Sequence, residues 1–445
     1  MKKEYLLRSF KLDEDETIVK ARGINLYTNK KKKYLDSTSG LTGTSILGFG
    51  NKKIENSIIT QLKKIPLIDY KYFIDQNREK VAQKILSKKN KKLDKFFFVG
   101  ASGGEACEAS MKIAYLYHLA SNKKNKKWFI SRKESYHGSG SDAMSVGDRK
   151  NLYIYKDFHP QYRKKINEHN FYRQGKKGET IDEYVNRSCK ELEDAILKIG
   201  PNNVCAFLAE TMMGGLVGDV PPGKHYWKKI KKICTKYDVL LILDEVWCGT
   251  GTSGKYFCFD WDDIHPDIVF MGKTLAAGYF PVSGLATNSK ISNKIFEYFG
   301  SIPFSTTHQG HSVGVAATLA VQNEIQNKVF LDKVNHNGEY FREVLTSELK
   351  NYEFFKNVRG RGLRNSLEYS CKNQHEFGVA LTDFAKKKKN LLLSAKWHRV
   401  CFSVAINTEK KILNEILEKF IITFKKVSST WTDKKLKNTQ NRSFY

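Results

Sequence analysis

Residues 239–246 constrain the fold of this chain most strongly, because their sequence VLLILDEV is an unbroken apolar run that ends in carboxylates. A short run rich in Val, Ile and Leu is typical of a strand buried on both faces, as in a parallel sheet. Asp244 then lies at the carboxyl end of that strand, where open α/β sheets bind their ligands. A glycine-rich turn follows, and a second apolar run at 268–271 leads directly into Gly272 and Lys273. The sequence therefore predicts a buried carboxylate and a lysine at one edge of a sheet.

The carboxylate and the lysine together favour cofactor chemistry. A lysine amine in an apolar site loses its proton readily and can form a Schiff base with an aldehyde. In pyridoxal phosphate chemistry, a carboxylate beside the pyridine nitrogen keeps that nitrogen protonated, so that the ring can accept electrons. Taken alone, Asp244 is more commonly a turn cap and Lys273 a surface lysine. Their joint placement at strand ends, among glycines, favours catalysis.

A second glycine-rich segment predicts an anion site. The apolar run 95–99 leads into GASGG at 100–104, and a helix is expected to begin near Glu105. Amides at a helix N-terminus bind phosphate, because they lack an acceptor within the helix and the helix dipole is positive there. A glycine loop by itself is equally well a tight turn. The sequence SYHG at 135–138 follows a strand predicted at 128–130, and its tyrosine either stacks on a flat ring or packs in the core.

The rest of the chain alternates strands and helices. Further strands are predicted by short apolar runs, at 18–21, 24–27, 34–36, 204–209, 282–287, 361–367 and 400–405. Helices are predicted by apolar residues at helical spacing, in 51–67, 81–86 and 226–237 and from 312 onwards. Alternation of this kind indicates βαβ units and a mainly parallel sheet. Residues 145–190 are polar and are expected to be irregular.

We predict two domains and a tail. A large α/β domain is expected at 50–325, a smaller α+β domain is expected to combine 1–49 with 326–426, and a polar tail is expected at 427–445. A chain of 445 residues is long enough for two domains. No apolar run approaches the roughly 18 residues that span a bilayer. The first residues, MKKEYLLRSFKLDEDE, become acidic before a signal-peptide core could form, so a cytoplasmic protein is expected.

Cysteine spacing and charge argue against two further classes. The 8 cysteines are scattered without a CxxC pair, which argues against a zinc site or a disulfide framework, so no metal is expected. The net charge of +29 comes from short lysine runs spread along the chain, at 30–33, 88–95, 123–127 and 386–389. A nucleic-acid-binding protein would concentrate such charge on one face or tail. The positive field still attracts anionic substrates and phosphate-bearing cofactors.

The motifs together resemble those of the class III (subgroup II) aminotransferases, which are fold type I pyridoxal phosphate enzymes, over about residues 20–425. SGGEACEA resembles the phosphate loop of that family, SYHG its ring-stacking motif, and LILDEVWCG followed by MGKTLAAGYFP its cofactor core. The resemblance implies a large domain with a mainly parallel sheet and a smaller α+β domain built from both termini. It also implies pyridoxal 5'-phosphate and ping-pong transfer of an amino group from a primary amine or ω-amino acid to a 2-oxo acid.

The resemblance implies roles for individual residues. Lys273 would be bonded to the cofactor and would act as base and acid, and Asp244 would pair with the pyridine nitrogen. Gly103 and Gly104 would donate amides to the phosphate. Cofactor contacts are implied for Ser102, Gly103, Gly104, Tyr136, His137, Glu210, Asp244, Val246, Lys273 and Thr307.

Substrate contacts and a homodimer are implied as well. Arg399 matches the arginine that binds a substrate carboxylate, and Trp247 lies where the substrate is expected. Thr307 matches a threonine that reaches the phosphate of the neighbouring subunit's cofactor. The resemblance therefore implies active sites at a subunit interface, in a dimer or a tetramer.

Three positions depart from the family and leave the substrate open. Trp247 stands where many relatives have glutamine or another slim residue, and Thr252 replaces the arginine of a GRTG turn. Gly215 stands where ornithine-type and aminobutyrate-type members carry a glutamate that masks the arginine, so nothing at this position is expected to switch Arg399 off. Decarboxylation or an aminomutase reaction on the same fold is the alternative function. A basic nucleic-acid-binding protein is a remote alternative.

Overall fold

A computed structural model describes residue 7 and residues 16–69, 72–86 and 92–431. The strands in this part of the chain are β1 (Ile18–Arg22), β2 (Asn25–Thr28), β3 (Lys33–Asp36), β4 (Lys95–Phe98), β5 (Trp128–Arg132), β6 (Arg163–Ile166), β7 (Val204–Glu210), β8 (Leu240–Asp244), β9 (Ile268–Met271), β10 (Gly284–Thr287), β11 (Phe355–Arg361), β12 (Arg364–Tyr369), β13 (Leu391–Leu392), β14 (Ser394–Lys396) and β15 (Arg399–Ser403). The helices are α1 (Lys52–Lys64), α2 (Gln76–Ile85), α3 (Gly103–Ala120), α4 (Ser141–Val146), α5 (Phe171–Gln174), α6 (Ile181–Ile199), α7 (Tyr226–Lys236), α8 (Ser289–Phe299), α9 (Ser312–Ile325), α10 (Lys328–Leu349), α11 (Gln374–Lys389) and α12 (Lys410–Thr430).

The main sheet has seven strands in the order β4-β10-β9-β8-β7-β5-β6. All neighbouring pairs are parallel except those of β10, which runs antiparallel to both β4 and β9. Every residue of β7, β8 and β9 is buried, as their continuous apolar sequences predict. In the register of β7 and β8, Glu210 lies directly opposite Asp244. The two carboxylates therefore leave the sheet side by side at its carboxyl edge.

Two apolar layers cover the faces of this sheet. Successive side chains of a strand point to opposite faces. Ile242 accordingly packs in the cluster that includes α3, whereas Leu241 and Leu243 pack in the cluster that includes α6 and α7. No helix in the described part of the chain is long and apolar enough to cross a membrane.

Both ends of the described chain contribute to one small sheet. Strands β1, β2, β3 and β13 form it, and β13 runs parallel to β3, so residues 391–392 pair with the N-terminal region. A second four-stranded sheet has the order β11-β12-β15-β14 and is antiparallel throughout. This arrangement agrees with a smaller α+β unit built from both termini, although the exact domain boundaries stay a prediction.

Two predicted irregular segments need correction. Within 145–190, a 3₁₀ helix at Lys150–Phe158, strand β6 and the start of α6 are ordered elements. Strand β6 was not predicted because it lacks an apolar run: it lies at the sheet edge and buries only Ile166 of its four residues. Helix α6 begins with a capping box in which Thr180 and Glu183 bond each other's backbone, a local signal that the sequence does contain. The predicted tail also starts too early, because α12 continues to Thr430 and buries Val427; the rest of the tail, 432–445, lies outside the described residues.

One face of the C-terminal sheet is polar and buried. The register of β12 and β15 pairs Arg364 with Ser403, Ser366 with Cys401 and Glu368 with Arg399. The intervening residues Leu367, Val400 and Phe402 belong to the apolar core. Alternation along the two strands thus separates an apolar face from a basic one, and the basic face meets the large domain.

Candidate active site

The ends of β8 and β9 bring Lys273 close to Asp244 and to the glycine loop before α3. Strands β8 and β9 are parallel neighbours, and Asp244 pairs with Phe270 in their register. Lys273 follows two residues after β9 and has a φ of 37°, in the left-handed region that non-glycine residues seldom adopt. A Cβ on Gly272 would lie 3.0 Å from the Cα and N of Gly103, so only glycine permits this close approach. The predicted lysine and phosphate loop therefore meet at one edge of the sheet.

The Asp244 carboxylate is held from two sides. Its Oδ2 lies 2.7 Å from Nδ1 of His137, and its Oδ1 accepts a hydrogen bond of 2.8 Å from the amide of Val246. Asp244 is 4% exposed and His137 is 3% exposed. Nε2 of His137 is buried and has no hydrogen-bond partner among the described residues. His137 and Val246, which were both expected to contact the cofactor, thus contact the carboxylate that was expected to face the ring.

Glu210 adds a second buried carboxyl group beside Asp244. Burial raises the pKa of Glu210 to about 7; the charges of His137 and Arg132 lower it, and the charge of Asp244 raises it. Its Oε2 accepts a hydrogen bond of 3.4 Å from the amide of Gly214. Near neutral pH this group can therefore exist in either protonation state, as a proton donor or acceptor requires.

Lys273 has the electrostatic surroundings of a reactive amine. Burial lowers its pKa, Arg364 and Arg149 lower it further, and the negative charges of Asp244 and Glu210 oppose these effects. Its Nζ lies 5.1 Å from the centroid of the Trp247 ring. A lysine whose pKa is lowered is uncharged for more of the time, and the uncharged amine is the nucleophile.

The start of α3 is suited to bind an anion. Ser102 caps the helix by accepting a bond of 3.2 Å from the amide of Glu105, and Glu105 in turn accepts from the amides of Ala101 and Ser102. Among the described residues, no acceptor lies within hydrogen-bonding distance of the amide N–H of Gly103 or Gly104. A Cβ on Gly103 would lie 2.7 Å from the side chain of Val246. The loop thus keeps two amides unpaired, and it has no room for a side chain at position 103.

Tyr136 lies beside this loop. The next glycine of its motif, Gly138, has a φ of 143°, and its Cα would lie 3.2 Å from a Cβ on Gly104. The Tyr136 hydroxyl lies 3.1 Å from Oγ of Ser139. Its ring is half-buried, with the Arg149 guanidinium 5.2 Å from the centroid. SYHG and the glycine loop therefore form one surface.

Arg399 is completely buried, and its guanidinium already donates hydrogen bonds to a backbone carbonyl of the protein. Its Nε donates a hydrogen bond of 2.8 Å to the carbonyl of Gly215, and its Nη2 donates to the same oxygen. Its Nη1 is buried and has no partner among the described residues. The expectation that nothing at position 215 engages Arg399 was wrong, because a backbone carbonyl takes the place of the missing glutamate side chain.

Two residues that the sequence reading missed fix the Trp247 side chain. Asp219 accepts a bond of 2.6 Å from the indole Nε1, and the Arg364 guanidinium lies 4.1 Å from the ring centroid. Arg364 also donates from Nε to the carbonyl of Trp247, at 2.9 Å. Space for the indole comes from glycines: a Cβ on Gly43 would lie 2.5 Å from the ring, and one on Gly214 would lie 3.0 Å from it. The sequence gives no alternation signal for Arg364, because Arg364, Asn365 and Ser366 are consecutive polar residues at the start of β12.

Thr307 and Thr252 are the remaining positions that the sequence singled out. Thr307 is exposed on the loop between α8 and α9, and its neighbour Thr306 donates to the carbonyl of Val99 at 2.7 Å. Thr252 is buried and donates to the carbonyl of Gly249 at 2.8 Å, so it closes its own turn. A role of Thr307 across a subunit interface stays a prediction.

Comparison with known proteins agrees with this geometry. The family described as Aminotransferase class-III matches residues 12–424. An aminotransferase of Gibberella zeae is 31% identical over 387 residues, which cover 85% of this chain and 74% of the relative. The mitochondrial gamma aminobutyrate transaminase 1 of Solanum lycopersicum is 31% identical over 395 residues, covering 86% and 76% of the two chains. The omega transaminase of Pseudomonas jessenii, solved in complex with PMP, superposes with a TM-score of 0.90 at 25% identity and covers 96% of this chain and 97% of its own.

The buried strands, the unpaired loop amides and the lysine at the strand end fit the cofactor of these enzymes. The fold type I architecture with its mainly parallel sheet is confirmed by the structural similarity. This chain therefore belongs to the class III aminotransferases and is an enzyme that uses pyridoxal 5'-phosphate.

Proposed function

We propose that this aminotransferase moves an amino group from a primary amine or ω-amino acid to a 2-oxo acid by a ping-pong route. The observation that carries the proposal is the placement of Lys273 beside an Asp244 carboxylate that is fixed by His137. The similarity to a gamma aminobutyrate transaminase and an omega transaminase supports donors whose amine lies away from an acid group.

Each residue has a proposed task. Bound pyridoxal phosphate supplies an electron-accepting ring to which the amine of the substrate is joined. The amides of Gly103 and Gly104, with Ser102, would hold its phosphate, and Tyr136 would stack on the ring. Asp244, oriented by His137, would hold the proton of the ring nitrogen.

Lys273 would take up the proton that leaves the amine-bearing carbon of the substrate and would release it again during amino transfer. Its lowered pKa suits this task, because the amine must take up a proton and release it again near neutral pH. Glu210, whose pKa is raised to about 7 by burial, would accept or return a proton near the ring.

A donor and acceptor screen on the purified holoenzyme tests the proposed function. Primary amines and ω-amino acids are paired with pyruvate and with 2-oxoglutarate, and consumption of the oxo acid is followed together with formation of the new amino acid. Transamination consumes one oxo acid for each amino acid formed. Carbon dioxide release without that consumption would identify a decarboxylase, and an isomeric amino acid without it would identify an aminomutase.

Replacing Arg399 tests the proposed acid-binding role. Arg399→Ala should raise the KM of the 2-oxo acid on the order of a hundredfold, the loss expected when a charged, two-pronged contact is removed. The half-reaction with an amine that lacks an acid group should change much less. Stopped-flow measurement of both half-reactions checks the prediction. Equal losses in both, or none in either, would remove Arg399 from the site and leave it a buried structural residue.

The homodimer is proposed from the exposed position of Thr307, which a neighbouring subunit could reach. If Thr307 completes the phosphate site of that neighbour, the active species is at least a dimer, and Thr307→Ala weakens cofactor retention. Activity measured across a sedimentation profile checks this, and fully active monomers would contradict it.

A cytoplasmic location stays a prediction, because relatives include proteins named as mitochondrial.

A further inference from the structure

Arg364 is a buried guanidinium whose charge is not neutralised by a contacting carboxylate. It is the first residue of β12 and is 1% exposed. Both of its hydrogen bonds within the described part of the chain go to uncharged carbonyl oxygens: Nε donates to Trp247 at 2.9 Å, and Nη2 donates to Gly43 at 2.7 Å. Burial lowers the pKa of Arg364 to about 10 and the charge of Asp219 opposes this shift, so the group stays charged at neutral pH.

The charge of Arg364 is not needed for these contacts. A neutral amide can donate hydrogen bonds to carbonyl oxygens, and an apolar side chain can pack on an indole. A buried charge without a contacting counterion costs stability. The presence of a charge at this position therefore points to a nearby group on which it acts.

The nearby group is the amine of Lys273. The guanidinium carbon of Arg364 lies 4.1 Å from the centroid of the Trp247 ring, and Nζ of Lys273 lies 5.1 Å from the ring. The ring itself is fixed, because its Nε1 donates a hydrogen bond of 2.6 Å to Asp219. Trp247 thus holds two cationic side chains close to one another at a constant distance.

The pKa of the Lys273 amine is set by burial and by the charges around it. Charged side chains act on it from each element packed around the site: Asp244, Glu210, Arg149, Arg364 and Lys396. Burial has the largest effect and lowers the pKa of Lys273, the two carboxylates raise it, and Arg364 lowers it more than Arg149 does. A lower pKa leaves more of the amine uncharged, and the uncharged amine is the reactive form.

We propose that Arg364 is a positioning residue whose charge, fixed on the Trp247 ring, keeps the amine of Lys273 uncharged near neutral pH. The proposal rests on the proposed function, in which Lys273 is the reactive amine. Arg364 acts through its charge and through the ring that it stacks on. Its role is therefore distinct from that of Arg399, which we propose binds the substrate acid.

Competitive acetylation of the full-length apoenzyme tests the proposal without any amino transfer. Acetic anhydride labels only uncharged amines, so labelling of Lys273 as a function of pH, followed by mass spectrometry with surface lysines as the reference, gives the midpoint of its titration. Arg364→Met keeps an apolar stem on the indole and removes the charge. The midpoint should rise by roughly one pH unit, the scale of one unit charge at short range in a partly buried site.

A second variant and a matched control complete the experiment. Arg364→Gln can still donate to one carbonyl, and it should give the same upward shift even if Arg364→Met does not fold. The control is Arg342→Met in α10, because Nη1 of Arg342 also holds the start of β12, through Oδ1 of Asn365 at 2.8 Å. Its midpoint should equal that of the wild type. An unchanged or lowered midpoint in the folded Arg364 variants, or an equal rise in Arg342→Met, would overturn the proposal.

The pH profile of the amine half-reaction distinguishes this proposal from the proposed function. In the Arg364→Met holoenzyme the acid limb of the profile should move to higher pH, because the uncharged amine then appears only at higher pH. A raised labelling midpoint with an unmoved acid limb would uphold the effect of Arg364 on the amine. The same result would refute Lys273 as the proton carrier, and with it the proposed function.

Discussion

Lys273→Ala should abolish amino transfer, with a loss of at least about 10⁴-fold, because it would remove both the proposed covalent attachment of the cofactor and the proposed proton carrier. The protein should still fold, since Lys273 lies in a short 3₁₀ turn beyond β9 and its Nζ donates no hydrogen bond among the described residues. The visible absorption of a lysine-bound cofactor should disappear as well. Absorption spectra and single-turnover assays measure the two effects separately.

Two other lysines serve as comparisons. Lys255 donates to the carbonyl of Asp260 at 2.9 Å, so Lys255→Ala should keep both the absorption and the activity. Lys126 also has a pKa lowered by burial, but its Nζ donates to four backbone carbonyls, those of Pro201, Val204, Tyr237 and Asp238. A lysine bonded in that way is structural, whereas Nζ of Lys273 faces an aromatic ring at the carboxyl edge of the sheet. A Lys273→Ala enzyme with normal turnover would contradict the assignment.

Asp244→Asn should cost a thousandfold or more in turnover. The substitution keeps the shape of the side chain and its contact with the amide of Val246 but removes the negative charge. Without that charge the ring nitrogen is no longer held protonated, and the lost electrostatic stabilisation is about 4 kcal/mol. The rate of the amine half-reaction checks the loss, with the melting temperature as a test of folding.

Asp267 provides a matched carboxylate for this experiment. It precedes β9, at the opposite end of the same pair of strands, where its Oδ2 accepts from the amide of Leu241 at 2.8 Å and from Lys231 at 2.7 Å. Asp267→Asn should alter stability but not the rate of the chemical step. Equal turnover of wild type and Asp244→Asn would show instead that Asp244 only orders the turn after β8.

The central sheet and the placement of Asp244 and Lys273 at its edge could be predicted from sequence because their signals are local. Strands β7, β8 and β9 are short runs of apolar residues, and such runs fold as strands buried on both faces. Asp244 and Lys273 stand at or just beyond the ends of two of these runs, and parallel strands carry their ends to the same edge. The glycine loop was recognisable for the same reason, since a strand, glycines and a helix start are adjacent in the chain.

Only the tertiary structure decided what surrounds Arg399, the arginine that we propose binds the substrate acid. Arg399 meets the carbonyl of Gly215 across 184 residues of sequence, and Trp247 meets Asp219 across 28. A backbone carbonyl leaves no mark on the sequence, because every residue has one. The glycine at position 215 therefore led to the prediction that nothing there engages Arg399, whereas the fold brings the main-chain carbonyl of Gly215 into contact with it. The sequence by itself determined the sheet and the placement of Asp244 and Lys273 at one of its edges, since periodicity and strand ends are local properties. The contact of Arg399 with the carbonyl of Gly215 was decided by how the C-terminal sheet docks on the large domain, which depends on contacts between distant segments.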